Sequence, residues 1–126
     1  MTPKRVLVFG TFDGLHLGHH FLLRQAKMRG TELVVGVARD EHVKILKNKV
    51  AQHREQARVE AVKNLPFVDD ALLCDEELGC FSIIDTVQPD LVVLGHDQMA
   101  LEESLRAWML AHERYLPIHR MKKKPL

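Results

Sequence analysis

Apolar positions along the chain come in two alternating patterns. "RVLVFG" (5–10) is a compact apolar run closed by Gly, too short for a helix and rich in β-formers, which predicts a buried strand. "HHFLLRQAKMRG" (19–30) instead spaces Leu22, Leu23 and Ala26 along one helical face, with Lys27 and Arg29 in the last turn and Gly30 placed as a C′ stop. "ELVVGVA" (32–38) returns to the continuous pattern as a second buried strand. Strand, helix and strand in this order make a βαβ unit with a right-handed crossover.

The alternation continues to the end of the chain. "REQARVEAVKNL" (54–65) carries Ala57, Ala61, Val62 and Leu65 at helical spacing, and "DALLC" follows as a short strand. "CFSIIDTV" puts Phe81, Ile84 and Val87 on one face; "QPD" breaks it before the strand "LVVLG" (91–95). Leu101, Leu105, Trp108 and His112 line one side of a further helix, and "YLPIH" is read as a last strand. Such alternation predicts an open parallel sheet of about five strands with helices on both faces. No internal repeat, low-complexity tract or interdomain linker interrupts it, so residues 1–126 are expected to form a single domain.

Composition narrows the picture without redirecting it. A chain of 126 residues buries enough surface to fold without a metal or disulfide staple. Eighteen Lys+Arg against seventeen Asp+Glu argues against a general nucleic-acid binder or a membrane-surface protein, although Lys122, Lys123 and Lys124 crowd the C-terminus. Two cysteines, Cys74 and Cys80, form neither a disulfide framework nor a zinc knuckle and fit a reducing cytoplasm. The first apolar run is far shorter than a signal h-region or a membrane span, so a cytoplasmic protein is expected.

The chemistry concentrates in "GTFDGLHLGHH" (10–20), at the carboxyl end of the first strand, where open parallel sheets bind ligands and helix N-termini attract anions. Gly10 and Gly14 would let the loop bend, and Gly18 would let backbone approach an anion. His16 and His19, three apart, can both donate to phosphate oxygens as negative charge builds up. The stretch thus reads as a phosphate cradle built with imidazoles; it matches neither GxxxxGK[ST] nor GxGxxG. A metal site on His16, His19 and His20 is the rival, but carboxylate or thiolate partners at ligand spacing are missing, and His20 alone reads as a helix-surface residue.

"GTFDGLHLGHHFLLRQAK" (10–27) resembles the GTFDxLHxGH signature of the cytidylyltransferase-like nucleotidyltransferases. The resemblance extends through "VVGVARDEHV", "REQARVEAVKNLPFVDDALL" and "PDLVVLGHDQ", the last being similar to the LGYDQ element of archaeal-type FAD synthases. Those enzymes resemble glycerol-3-phosphate cytidylyltransferases in fold but use ATP on FMN. The resemblance implies a Rossmann-like, doubly wound α/β fold. It also implies in-line attack of a substrate phosphate on the α-phosphorus of a nucleoside triphosphate, with Mg²⁺ accompanying the triphosphate and pyrophosphate leaving.

By the same resemblance the catalytic group would be His16, His19, Lys47 and Arg58. The histidines would contact the triphosphate; Lys47, with Lys44 and Lys49 nearby, would grip phosphates from the loop after the second strand; Arg58 would reach them bidentately from the head of a helix. Nucleotide-binding positions would be Gly10, Thr11, Phe12, Gly18, Gly95, Asp97 and Arg120. The bland alternatives are a solvated basic stretch for "KILKNK", a helix cap for Asp97 and an ordinary surface arginine at 58. Trp108 reads as core or dimer packing rather than a flavin-stacking residue, and His96 stands where relatives carry Tyr or Asp. A homodimer is expected from the family.

The pattern departs at the C-terminus. Relatives follow the last strand with an IS[ST]T-type segment that supplies hydroxyls and an arginine, whereas no Ser or Thr follows Ser104 here and Arg120 alone could stand for the arginine. Three functions therefore stay open: an FMN adenylyltransferase, a cytidylyltransferase for a small phosphorylated alcohol, and a nucleotide-binding module without turnover.

Overall fold

A computed structural model describes residues 4–123. Among them, five strands, β1 (Arg5–Gly10), β2 (Glu32–Val37), β3 (Asp70–Leu73), β4 (Leu91–Leu94) and β5 (Ile118–Arg120), form one sheet in the order β3, β2, β1, β4, β5. Every neighbouring pair is parallel. Helices α1 (Leu17–Lys27), α2 (Asp40–Lys47), α3 (Glu55–Lys63), α4 (Ile83–Val87) and α5 (Met99–His112) connect them. The sheet is the expected Rossmann-like, doubly wound one, and its order reverses between β1 and β4.

The side-chain period of two explains why the central strands are apolar throughout. Val6 and Val8 of β1, Leu33 and Val35 of β2 and Val93 of β4 face one core with Leu23 and Ala26 of α1 and Val62 of α3. Leu7 and Phe9, Val34, Val92 and Leu94 face the other, with Ile83 and Ile84 of α4 and Leu105 and Trp108 of α5. Trp108 is buried, edge-on to Phe81 and stacked on His112, which makes it core rather than a ligand-stacking surface.

Three local expectations change. Residues 40–47, read as loop, form α2, with Asp40 and Glu41 in its first turn and Lys44 and Lys47 in its last, the arrangement its dipole favours. Only His42 and Val43 of this helix are buried. Helix α1 starts at Leu17 rather than 19 because His16 caps it. Gly30 is not a left-handed stop: a Cβ there would lie 2.5 Å from the Lys4 carbonyl oxygen, so Gly30 serves the close passage of two backbones. No helix of the described residues is long and apolar enough to cross a membrane.

A left-handed cap tolerates asparagine; a backbone contact does not. Gly30→Ala and Gly30→Asn should therefore both destabilise the protein, by about 1–3 kcal/mol, as measured by urea unfolding. Asparagine restoring stability would return Gly30 to the role of a cap.

Candidate active site

The site begins where β1 leaves the sheet. Phe12 is buried with φ of 54°, a left-handed conformation that costs a bulky residue about 1–3 kcal/mol and persists only where its surroundings enforce it. Its ring folds back over the strand end, and a Cβ on Gly10 would come within 2.6 Å of that ring. Gly10 is thus needed for room rather than for a bend, whereas Gly14, at φ of 77°, does take the turn.

Beyond the turn, two imidazoles cap α1. His16 Nδ1 accepts from the Gly18 N–H at 3.1 Å, and His19 Nδ1 accepts from the His16 N–H at 3.4 Å. The rings stack with centroids 3.7 Å apart, and His19 meets the Phe12 ring edge at 5.2 Å. With Nδ1 accepting in both, the ring proton sits on Nε2; that of His16 is left for a ligand, whereas that of His19 is turned to the Gly14 backbone. Gly18, expected to offer its N–H to an anion, donates it to His16 instead; a Cβ at Gly18 would press on the His16 ring at 3.0 Å.

Burial pushes the His19 imidazole down to about 4, and the nearby His16, Lys47 and His20 add to the effect against a hydrogen bond with the Gly14 backbone that raises it. Lys47, although on α2 and exposed, is therefore close enough for its charge to reach His19. Asp13 behaves oppositely. Partial desolvation would raise it, yet hydrogen bonds from Gln52 N–H, His53 Nδ1 and His53 N–H together hold it at about 2.

Arg58 corrects the largest expectation. Its side chain is only 1% exposed, and its guanidinium donates inward: Nε to the His53 carbonyl at 3.0 Å, Nη1 to the Thr11 carbonyl at 2.8 Å and Nη2 to Asp40 Oδ1 at 2.7 Å. A group so enclosed does not face phosphates; it joins the histidine loop to α2 and α3. Asp40 and Glu55 complete the joint by accepting each other's backbone N–H, at 2.9 and 3.2 Å.

Gly95 ends β4 beside β1, and Gln98 spans the gap, donating to the Phe9 carbonyl at 3.0 Å and accepting from the Gly95 N–H at 2.7 Å. Asp97 is exposed at the same edge and does not cap α5, whose N-cap is Gln98. Arg120 pairs with Glu102 at 3.2 Å, in register with the end of β4. Asp13, Asp40, His53 and Gln98 were not singled out in the sequence. Asp13 and Gln98 lie inside the quoted motifs "GTFD" and "LGHDQ", whereas Asp40 and His53 carry no local signal because their partners are distant in sequence. Lys124 lies outside the described residues.

No group of three or more His, Cys, Asp or Glu that could hold a metal ion occurs among the described residues. His16 Nδ1 is taken by the Gly18 N–H, His19 Nδ1 by the His16 N–H and Asp13 by His53, so the side chains nearest the loop do not make a protein metal cage.

Residues 7–124 match the family model described as cytidylyltransferase-like. The chain belongs to this family. Among its cytidylyltransferase-like relatives, the "FAD synthase" of Methanohalophilus mahii is 46% identical over 101 residues, covering 80% of this chain and 69% of the relative. That of Ferroglobus placidus is 43% identical over 82% of this chain and 66% of the relative. The chain thus spans about two thirds of the length of these two relatives. The crystal structure of the lipopolysaccharide core biosynthesis protein from Thermoplasma volcanium superposes with a TM-score of 0.88 at 34% identity, covering 98% of this chain and 100% of that one.

The depressed His19 value makes stability depend on pH in a defined direction. An unfolded histidine takes up a proton near 6.5, whereas folded His19 resists until about 4, so its contribution is complete above 6.5 and lost as the pH falls toward 4. Asp13 adds a second loss at lower pH, from 3.8 down to about 2. The fall in urea midpoint between pH 7 and pH 4.5 should therefore be smaller in His19→Gln than in the wild type, and an equal fall in both would show that His19 titrates normally.

Proposed function

We propose that the chain is a nucleotidyltransferase of the FAD synthase type, transferring AMP from ATP to the phosphate of FMN with release of pyrophosphate. The observation that carries this reading is the stacked His16–His19 pair at the N-terminus of α1, beside the β1–β4 reversal, in a chain whose relatives include the FAD synthases named above. Ligands of open α/β sheets bind in that crevice.

In this reading an oxygen of the acceptor phosphate attacks the α-phosphorus in line, and the bond to the pyrophosphate oxygen breaks. The acceptor phosphate is already ionised at neutral pH, so no general base is required. The protein's part is to position the reactants and to stabilise charge on the phosphoryl oxygens and the leaving group. His16 does so through Nε2–H, and His19, kept neutral at physiological pH by its low proton affinity, by exchanging its bond to the Gly14 backbone for a phosphate oxygen. Their placement at the amino end of α1 adds the favourable end of the helix dipole. Lys47 supplies a mobile positive charge to the same region, and Thr11, Phe12, Gly95, Asp97 and Arg120 surround the nucleotide. Mg²⁺ accompanying the triphosphate would neutralise charge on the phosphate oxygens. The active species is a homodimer by this reading.

A second acceptor is favoured by one observation. The Thermoplasma volcanium protein, covered over its whole length by this chain, is described by a different biosynthetic role. A cytidylyl transfer to a small phosphorylated alcohol is therefore the alternative to be tested alongside.

Pyrophosphate release, measured with ATP or CTP and with FMN or glycerol 3-phosphate in the presence of Mg²⁺, distinguishes them. The expected result is release with ATP and FMN, reduced about 100-fold or more by His16→Ala, with nucleotide binding largely retained. Release only with CTP would establish the second reading, and none in any pairing would leave a nucleotide-binding module.

A further inference from the structure

The peptide plane between Thr11 and Phe12 contains the Thr11 carbonyl oxygen and sets the φ of Phe12. Arg58 Nη1 holds that oxygen at 2.8 Å. Rotation of this peptide would carry the oxygen away from Arg58 and let Phe12 relax from φ of 54° to the negative values that a bulky residue prefers. With the left-handed state no longer enforced, the loop would be free to shift away from the shape in which the Phe12 ring meets His19 edge-on at 5.2 Å, and the stacked His16–His19 pair would lose the wall behind it. Packing against Gly10 restrains the ring, whereas among the described residues the hydrogen bond from Arg58 restrains the peptide plane itself.

We propose that Arg58 is a positioning residue: its buried guanidinium locks the Thr11–Phe12 peptide in the left-handed state and thereby holds the imidazole pair in its working arrangement. The lock has a firm seat. Nη2 is anchored on Asp40 Oδ1 at 2.7 Å and Nε on the His53 carbonyl at 3.0 Å, and His53 is tied again to the histidine loop through Asp13. The guanidinium fork reaches three acceptors on three segments at once, which a lysine ammonium on a flexible stem does not reproduce. The geometry stands without any assumption about substrate; the effect on turnover rests on the nucleotidyltransferase reading above.

The titration of His19 in the unliganded protein, followed by the NMR shift of its ring protons, reports the lock directly. Five influences act on that ring: its burial, the charges of His16, His20 and Lys47, and the hydrogen bond with the Gly14 backbone. Withdrawal of the Phe12 ring exposes it to water, so Arg58→Lys should raise the His19 midpoint from about 4 toward the ordinary 6.5, by about one unit or more. It should lower kcat about tenfold or more, with a smaller change in KM for the nucleotide. Near-ultraviolet dichroism of Trp108, in the opposite core, verifies that the variant is folded.

Asp40→Asn removes the charge from the seat while leaving the two other acceptors of the guanidinium in place, and should move His19 in the same direction by less. It decides the question alone if Arg58→Lys does not fold. An unchanged His19 midpoint in the folded variant overturns the proposal. So does a raised nucleotide KM with an unchanged midpoint, which would mean that Arg58 turns to the phosphates after all.

Discussion

A guanidinium sealed from water is tolerable only if acceptors converge on it, and around Arg58 they come from three separate segments. The Thr11 carbonyl belongs to the loop after β1, the carboxylate of Asp40 to the start of α2, and the His53 carbonyl to the approach to α3. Removing an acceptor would leave the buried guanidinium short of a partner, although the Asp40 carboxylate is itself partly exposed. The loop that carries the histidines therefore does not adopt its shape alone. It is one side of a joint whose other sides are the two helices following β2.

That joint makes a strained turn affordable at the point where chemistry is concentrated. Left-handed Phe12, the close fit of its ring over Gly10 and the stacking of His16 on His19 form a chain of contacts, each requiring the one before it. The outcome is a pair of imidazoles with Nδ1 occupied and Nε2 protonated, one of them kept neutral by burial. Neutral donors fixed in place suit a reaction whose charge rises on phosphoryl oxygens, since they need not reorganise as it develops. Gln98 performs a smaller version of the same service at the neighbouring strand end, linking β1 to β4 across the reversal in strand order.

The division of labour between the two faces of the sheet leaves this surface free. Both cores are closed by aliphatic and aromatic side chains of α1 and α3 on one face and α4 and α5 on the other. Helix α2 takes part in neither and contributes two buried side chains, one of which, His42, meets the Glu76 carbonyl at 2.9 Å. It is a carrier for exposed Lys47 more than a structural layer.

The amino-acid sequence by itself determined the parallel α/β architecture, because continuous apolar runs and 3.6-spaced stripes each have one burial solution and alternate without interruption. It also determined the place of the histidine loop, since a glycine- and histidine-rich turn directly after a buried strand has to lie at the carboxyl edge of the sheet. What only the tertiary structure decided is which groups in that neighbourhood face a ligand and which face each other. Arg58 and Thr11 are 47 positions apart, Asp13 and His53 are 40 apart, and neither pairing leaves a trace in local periodicity. The same holds for Gly10 and Gly30, whose value lies in what a Cβ would strike. Periodicity reports the burial of a face; the direction of a polar group depends on a partner that only the folded chain brings within reach.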